Sequence, residues 1–168
     1  MTVGQNVALP LEMQTEQDPE TIDIIVSMKL DWVGLLHRKD NLPSEISGGQ
    51  QKRAGLARAI ALDPRVVFYD EPSAGLDPIA TTQIDERITD MKAKLGMTNV
   101  VVTHVMESVQ RIADHIVMLD RGTVLLNGTL RDLMDCKTEK VRKFVRGETD
   151  VLTGAGGEVP QFVRDLLM

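Results

Sequence analysis

Between Val66 and Thr103 the sequence alternates in a way that leaves few folds open. Two short apolar runs, Val66-Val67-Phe68-Tyr69 and Asn99 to Thr103, flank a longer stretch with Ile84, Ile88, Met91 and Leu95 on one stripe. That stripe has helical spacing. Asp77-Pro78 supplies a start signal and Gly96 a stop signal. Uninterrupted apolar runs of this length are the pattern of strands buried on both faces. Strand, helix and strand in that order predict a parallel βαβ unit, and hence an α/β fold.

The flanking segments extend this core. Residues 1 to 17 read as an irregular lead-in punctuated by Pro10 and Pro19. A helix is predicted from Asp18 to about Trp32, capped by Asp18, with Ile25, Met28, Trp32 and Leu35 at helical spacing and Gly34 as its stop. His37 to Ser44 reads as a polar loop. A second helix runs from Ser47 to Leu62 and is halted by Asp63-Pro64. Met106 to Ala113 reads as a short helix. Ile116 to Leu119 and Thr123 to Leu126, joined by Asp120-Arg121-Gly122, read as a β-hairpin. Thr129 to Val145 holds one or two further helices. From Val151 the chain is rich in glycine and reads as a flexible tail with a short apolar end.

Composition narrows the function classes. The 168 residues are 42% hydrophobic and 26% charged, the proportions of a soluble globular domain. No apolar run approaches the roughly 18 residues that a bilayer span needs, so direct membrane insertion is not expected. No basic leader opens the chain, and one cysteine, Cys136, fits a reducing compartment. Nineteen basic against 25 acidic residues give a net charge of −6, which provides no global field for nucleic acid or anionic lipid.

Three places can carry chemistry. Ser47-Gly48-Gly49-Gln50 opens the second helix, where unpaired N–H groups and the dipole attract anions and two glycines let one approach closely. The same residues also spell an ordinary capping box, Ser47 with Gln50 three positions on. Asp70-Glu71 follows the first strand directly. Ligands in open parallel sheets gather at the carboxyl ends of strands. There, one carboxylate can hold a magnesium shell while the other polarises a water. The bland alternative is a solvated strand end before Pro72. His104 follows the second strand, on the same sheet edge as Glu71 if the strands are neighbours, and can bond a phosphate or orient a water. His37 and His115 have no comparable partners and read as structural or solvated.

Taken together, these places resemble one family. Ile46-Ser47-Gly48-Gly49-Gln50 followed by Gln51-Lys52-Arg53 resembles the signature motif of the ATP-binding-cassette ATPases. Val66 to Glu71 resembles their Walker B strand, Ser73-Ala74-Gly75-Leu76-Asp77 their D-loop, and His104 their switch histidine. The resemblance runs from Met1 to about Val145. Within the superfamily, Glu71 to Ile79, Gln5 to Leu11 and Ser44 to Ile60 look most like the Mla-type ATPases, which energise lipid transport between the membranes of diderm bacteria.

The resemblance implies a partial P-loop NTPase fold over residues 1–150: a helical subdomain over about 1–45, a signature, Walker B and switch-histidine core over 46–128, and C-terminal helices over 129–150. Residues 151–168 form the tail. It implies ATP and Mg2+ as cofactors, with Asp70 in the metal shell and Glu71 and His104 catalytic. Ser47, Gly48, Gly49 and Gln50 would face ATP on an opposite cassette, and Asp77 would communicate across that interface. It implies a second ATPase subunit, as a homodimer, and an integral-membrane permease, at the cytoplasmic face of the inner membrane.

One element of the family pattern is missing from these residues. No segment reads G-x-x-x-x-G-K-[ST], the loop whose amides and lysine cradle phosphates. The 168 residues therefore read as the second part of a cassette, from which little autonomous ATPase activity is expected. Two other readings compete: a non-catalytic partner lending its signature motif to a complete cassette, and a non-transport cassette ATPase. Retention of Glu71 and His104 weighs against the first. The lack of a coiled-coil insertion or a second cassette weighs against the other.

Overall fold

The first helix, α1 (Val3–Gln14), begins at a capping box in which Thr2 accepts from the Gln5 N–H and the Gln5 side chain accepts from the Thr2 N–H. Its first two helical N–H groups have no intrahelical acceptor. A neighbouring loop satisfies them: Val3 donates to the Asn41 carbonyl and Gly4 to the Lys39 carbonyl, both at 2.8 Å. This helix corrects the expectation of an irregular lead-in. Pro10 lies inside it, and an interior proline costs about 3 kcal/mol. Burial of Val3, Val7, Ala8 and Leu11 along one face outweighs that cost.

The structure, a computed structural model, describes residues 1–148. The expected tail from Val151 lies outside the described residues. The chain divides into two compact units, Met1 to Asp114 and the part from His115 onward.

In the first unit, α2 (Pro19–Trp32) is capped by Asp18, which accepts from the Thr21 N–H and hydroxyl. Those bonds hold the Asp18 carboxyl below its ordinary value. Of the expected stripe, Leu35 is buried and Ile25 and Trp32 pack partly buried against the core, whereas Met28 is exposed. Ile22, Val26, Lys29 and Leu30 make up the buried face of the helix. Gly34, at φ 68°, ends the turn that follows. Two single turns of 3-10 helix, Leu36–Arg38 and Pro43–Glu45, interrupt the expected loop. Helix α3 (Gly48–Ala59) follows and packs on α1 and α2 through Leu56, Ala57 and Ile60.

Strand β1 (Val66–Asp70) pairs in parallel with β2 (Thr98–Val102), and α4 (Pro78–Leu95) makes the crossover. The expected βαβ unit is therefore present. The register sets Val67 opposite Asn99, Tyr69 opposite Val101 and Asp70 opposite Val102. Helix α4 matches its signals closely: Asp77 caps it, Gly96 closes it in the left-handed region, and Ile84, Ile88 and Met91 are buried. The expectation that both strands are buried on both faces is not met. Only Val67 and Tyr69 of β1 are buried, and Phe68 is 77% exposed. Helices cover one face of this two-stranded sheet, so successive side chains alternate between core and solvent. Helix α5 (Met106–Ile112) follows β2 and packs on α4.

In the second unit, β3 (Ile116–Asp120) and β4 (Thr123–Gly128) form the expected antiparallel hairpin. Arg121 and Gly122 at its tip have φ of 46° and 78°, the two positive values a type I′ turn requires. His115, expected to be structural or solvated, is exposed, and its Nε2 lies 2.7 Å from Asn127 Oδ1 across the hairpin base. Helices α6 (Leu130–Met134) and α7 (Glu139–Arg146) follow the hairpin. Thr129 caps α6 and Asp132 accepts from the Thr129 N–H and hydroxyl, bonds that lower the Asp132 carboxyl pKa.

Candidate functional site

Asp70 ends β1 and is exposed. The next residue turns sharply: Glu71 has φ 47°, a left-handed conformation uncommon for a residue with a long side chain. Its N–H is held by the Val102 carbonyl at 2.9 Å, which extends the ladder by one bond, and Lys52 Nζ of α3 reaches its carbonyl at 3.3 Å. The turn directs the carboxylate across the end of the sheet. Glu71 Oε1 lies 2.8 Å from Nδ1 of His104, which follows β2. The strand register makes this meeting possible, because parallel neighbours end together at the carboxyl edge.

The two oxygens of Glu71 differ. With Glu71 ionised, the His104 Nδ1–H donates to Oε1 and leaves Nε2 as the outward ring nitrogen. Oε2 is buried and has no hydrogen-bond partner among the described residues. An orphaned carboxylate oxygen beside an oriented histidine is where a reacting water finds an acceptor.

The second grouping lies at the start of α3. Ser47 and Gln50 form the capping box read from the sequence, with Ser47 N–H to Gln50 Oε1 at 2.9 Å and Gln50 N–H to Ser47 Oγ at 3.3 Å. The second bond uses the serine oxygen as acceptor, so its hydroxyl proton remains a donor for an anion. Gly48 has no atom within 4 Å of where a Cβ would stand. The helix start opens onto a cavity of about 320 Å³ that also takes in Arg53, Gly75 and Asp77. Asp77 Oδ1 accepts from the N–H groups of Ile79 and Ala80 at 3.0 and 2.9 Å, fixing the opposite wall. Arg53 donates to the Val33 carbonyl at 3.3 Å, and partial burial and then Arg87 lower its pKa.

The structure thus brings Glu71 to His104, and Ser47, Gly48 and Gly49 to a shared cavity with Asp77. Gln50 serves the cap and does not line the cavity. Lys52 and Arg53 join the site although nothing in their residue types assigns them a contact. Their positions about 1.4 and 1.7 turns past Ser47 place them on the side of α3 toward the sheet and α4. Among the described residues no group of three or more His, Cys, Asp or Glu is placed to hold a metal ion by itself. Magnesium needs less, since it binds through one or two carboxylates, keeps several waters and takes its remaining ligands from phosphate. The exposed carboxylate of Asp70 fits that mode.

The family model for ABC transporters matches residues 1–74. Curated relatives match most of the chain. The methionine import ATP-binding protein MetN of Haemophilus influenzae (strain 86-028NP) is 39% identical over 146 residues, 86% of this chain and 42% of that protein. MetN 1 of Burkholderia lata is 43% identical over 147 residues, 88% of this chain and 42% of its own length. The intermembrane phospholipid transport system ATP-binding protein MlaF of Haemophilus influenzae (strain ATCC 51907) is 41% identical over 145 residues, 86% and 55%.

The chain is similar to ABC transporter ATPases over most of its length. It spans about half the length of the curated relatives it matches. The family likeness and the partial P-loop NTPase fold agree with the sequence reading. The narrower likeness to Mla-type ATPases is not singled out, because MetN and MlaF proteins match at similar identity. No helix among the described residues is long and apolar enough to cross a membrane.

Proposed function

We propose that this chain contributes the hydrolytic carboxylate and the signature surface of an ABC transporter ATPase. The observation that carries the proposal is the Glu71–His104 pair at the carboxyl end of the sheet, with Glu71 Oε2 left unpartnered. Glu71 Oε2 takes the proton of the attacking water, and His104, donating from Nδ1, holds the carboxylate in place while Nε2 meets the γ-phosphate. Asp70 would hold a magnesium ion, which would supply charge neutralisation at the phosphates. Ser47, Gly48, Gly49 and Gln50 face the γ-phosphate of ATP on a second cassette, with Asp77 across the shared interface.

In this proposal residues 1–150 act as one cassette portion. It works with a second ATPase subunit, as a homodimer, and with a permease, at the cytoplasmic face of the inner membrane. Residues 1–45, whose regular elements are all helices, are the part that meets the permease. We assign phospholipid as the cargo from the motif likeness and the MlaF relative. The MetN relatives, named for methionine import, support an amino-acid cargo as the second reading.

The test joins this chain to the P-loop-bearing half of MlaF and measures ATP turnover. The 168 residues alone should show none, because they contain no phosphate-cradling loop. The joined protein should hydrolyse ATP, and Glu71→Gln should lower turnover by about 10²-fold or more, the range of general-base contributions. Undiminished turnover in Glu71→Gln would remove Glu71 from the role.

A further inference from the structure

Helix α5 begins two residues after His104, and its apolar side chains Met106, Val109 and Ile112 are only partly buried. Ser108 is its one fully buried residue, and the Ser108 hydroxyl finds no hydrogen-bond partner among the described residues. Charge supplies what packing does not. Asp85, in the second turn of α4, is 1% exposed, and Arg111 near the end of α5 forms an ion pair with it. Lys92, two turns further along α4, pairs with Asp114 just past the end of α5.

The two pairs differ in physical weight. Lys92 and Asp114 are both exposed, and such pairs contribute little. Asp85 has lost its water, so its carboxylate requires a partner, and losing that partner is strongly destabilising. A guanidinium satisfies a carboxylate only from a restricted set of directions, so the pair fixes orientation as well as proximity.

His104 depends on such a constraint. Its side chain is 70% exposed, so packing does not fix the ring, and Glu71 is its hydrogen-bond partner. The backbone on either side must set its position: β2, registered against β1, on one side, and α5 on the other. We infer that the Asp85–Arg111 pair is a positioning device that clamps α5 to α4 and thereby holds His104 against Glu71. The same α4 is capped by Asp77, so one helix supports both the cavity wall and the histidine. This inference rests on the assignment of Glu71 and His104 to the hydrolytic site.

The test uses the full 168-residue chain labelled with ¹⁵N-histidine and reads the His104 Nδ1 resonance by NMR. Glu71→Gln identifies that resonance and the direction in which it moves when the bond to Glu71 is altered. Asp85→Asn and Arg111→Met should each move it the same way, by a comparable amount, with the His37 signals unchanged. Arg111→Lys keeps the charge and loses the fork, and should move it less. It also provides the comparison if Arg111→Met does not fold. Lys39→Met, which breaks the Lys39–Asp23 pair, should leave His104 where it is.

A lowered melting temperature in Asp85→Asn and Arg111→Lys with an unmoved His104 resonance would reduce the pair to a stabilising contact and overturn the inference. The experiment does not read ATP turnover. Its failure therefore leaves the hydrolytic assignment standing, and failure of that assignment leaves the resonance comparison interpretable.

Discussion

At the scale of single residues, the site stores strain where its chemistry is placed. Glu71 holds φ 47° without the freedom of glycine, a conformation that costs on the order of 1–3 kcal/mol. Glu71→Gly should therefore raise the stability of the chain by about 1 kcal/mol while removing the candidate base. Urea titration checks the sign, and a fall in midpoint would show that the carboxylate contributes more than its backbone costs. Adjacent acids after a strand, followed by a histidine after the next strand, made this pairing legible in the sequence. The left-handed turn was not legible, because nothing about a glutamate announces positive φ. Tyr69, the sole tyrosine, gives a second reading of this region. Burial pushes its hydroxyl from 10.0 up to about 12. The unfolded chain loses that proton near 10, whereas the folded chain keeps it. Stability should accordingly fall as pH rises from 10.0 to about 12. Tyrosinate absorbance during alkaline titration, with Tyr69→Phe lacking the transition, measures it directly.

At the scale of elements, local signals succeeded where they were redundant. Helix α4 carried a cap, a proline in the first turn, a regular stripe and a terminal glycine, and its bounds follow them. Pro10 reads locally as punctuation and so hides helix α1. The capping box at Thr2 and Gln5 and the spacing of Val3, Val7 and Leu11 were nevertheless present. Tertiary burial overrode one unfavourable residue, which a local reading cannot weigh. Docking of α1 can be tested at Gly4, where the helix approaches the Lys39 loop closely. A Cβ there would stand 2.8 Å from Lys39 Cγ and 3.1 Å from the Lys39 carbonyl oxygen. The side chain can swing away, but the backbone oxygen is held by the Gly4 N–H itself. Gly4→Ala should destabilise the chain by roughly 1–3 kcal/mol, as overpacked sites do. Gly55→Ala, on α3 with open space around it, is the comparison and should raise stability by up to about 1 kcal/mol. Equal melting temperatures for the wild type and Gly4→Ala would mean that the loop moves freely with α1.

At the scale of the whole molecule, the apolar strands were read correctly as strands and wrongly as doubly buried. An apolar run reports that a surface needs cover; it does not report whether the cover lies within the same 168 residues. Here Val66, Phe68, Val100 and Val102 share the outer face of the β1–β2 sheet, at 46, 77, 39 and 58% exposure. A contiguous apolar patch on a sheet of two strands, each with an unpaired side among the described residues, favours association. The 168-residue chain should therefore self-associate in a concentration-dependent way. Phe68→Lys places a charge at the centre of that face and removes no buried contact, because Phe68 is the most exposed large apolar residue of the sheet. It should shift the sedimentation profile toward monomer and change stability by no more than about 0.5 kcal/mol, as surface substitutions do. A wild-type chain that sediments as a monodisperse monomer and melts cooperatively would contradict this. Association unchanged in Phe68→Lys would move the contact to another surface, with the exposed Val117, Leu119 and Val124 of the hairpin as the next to test.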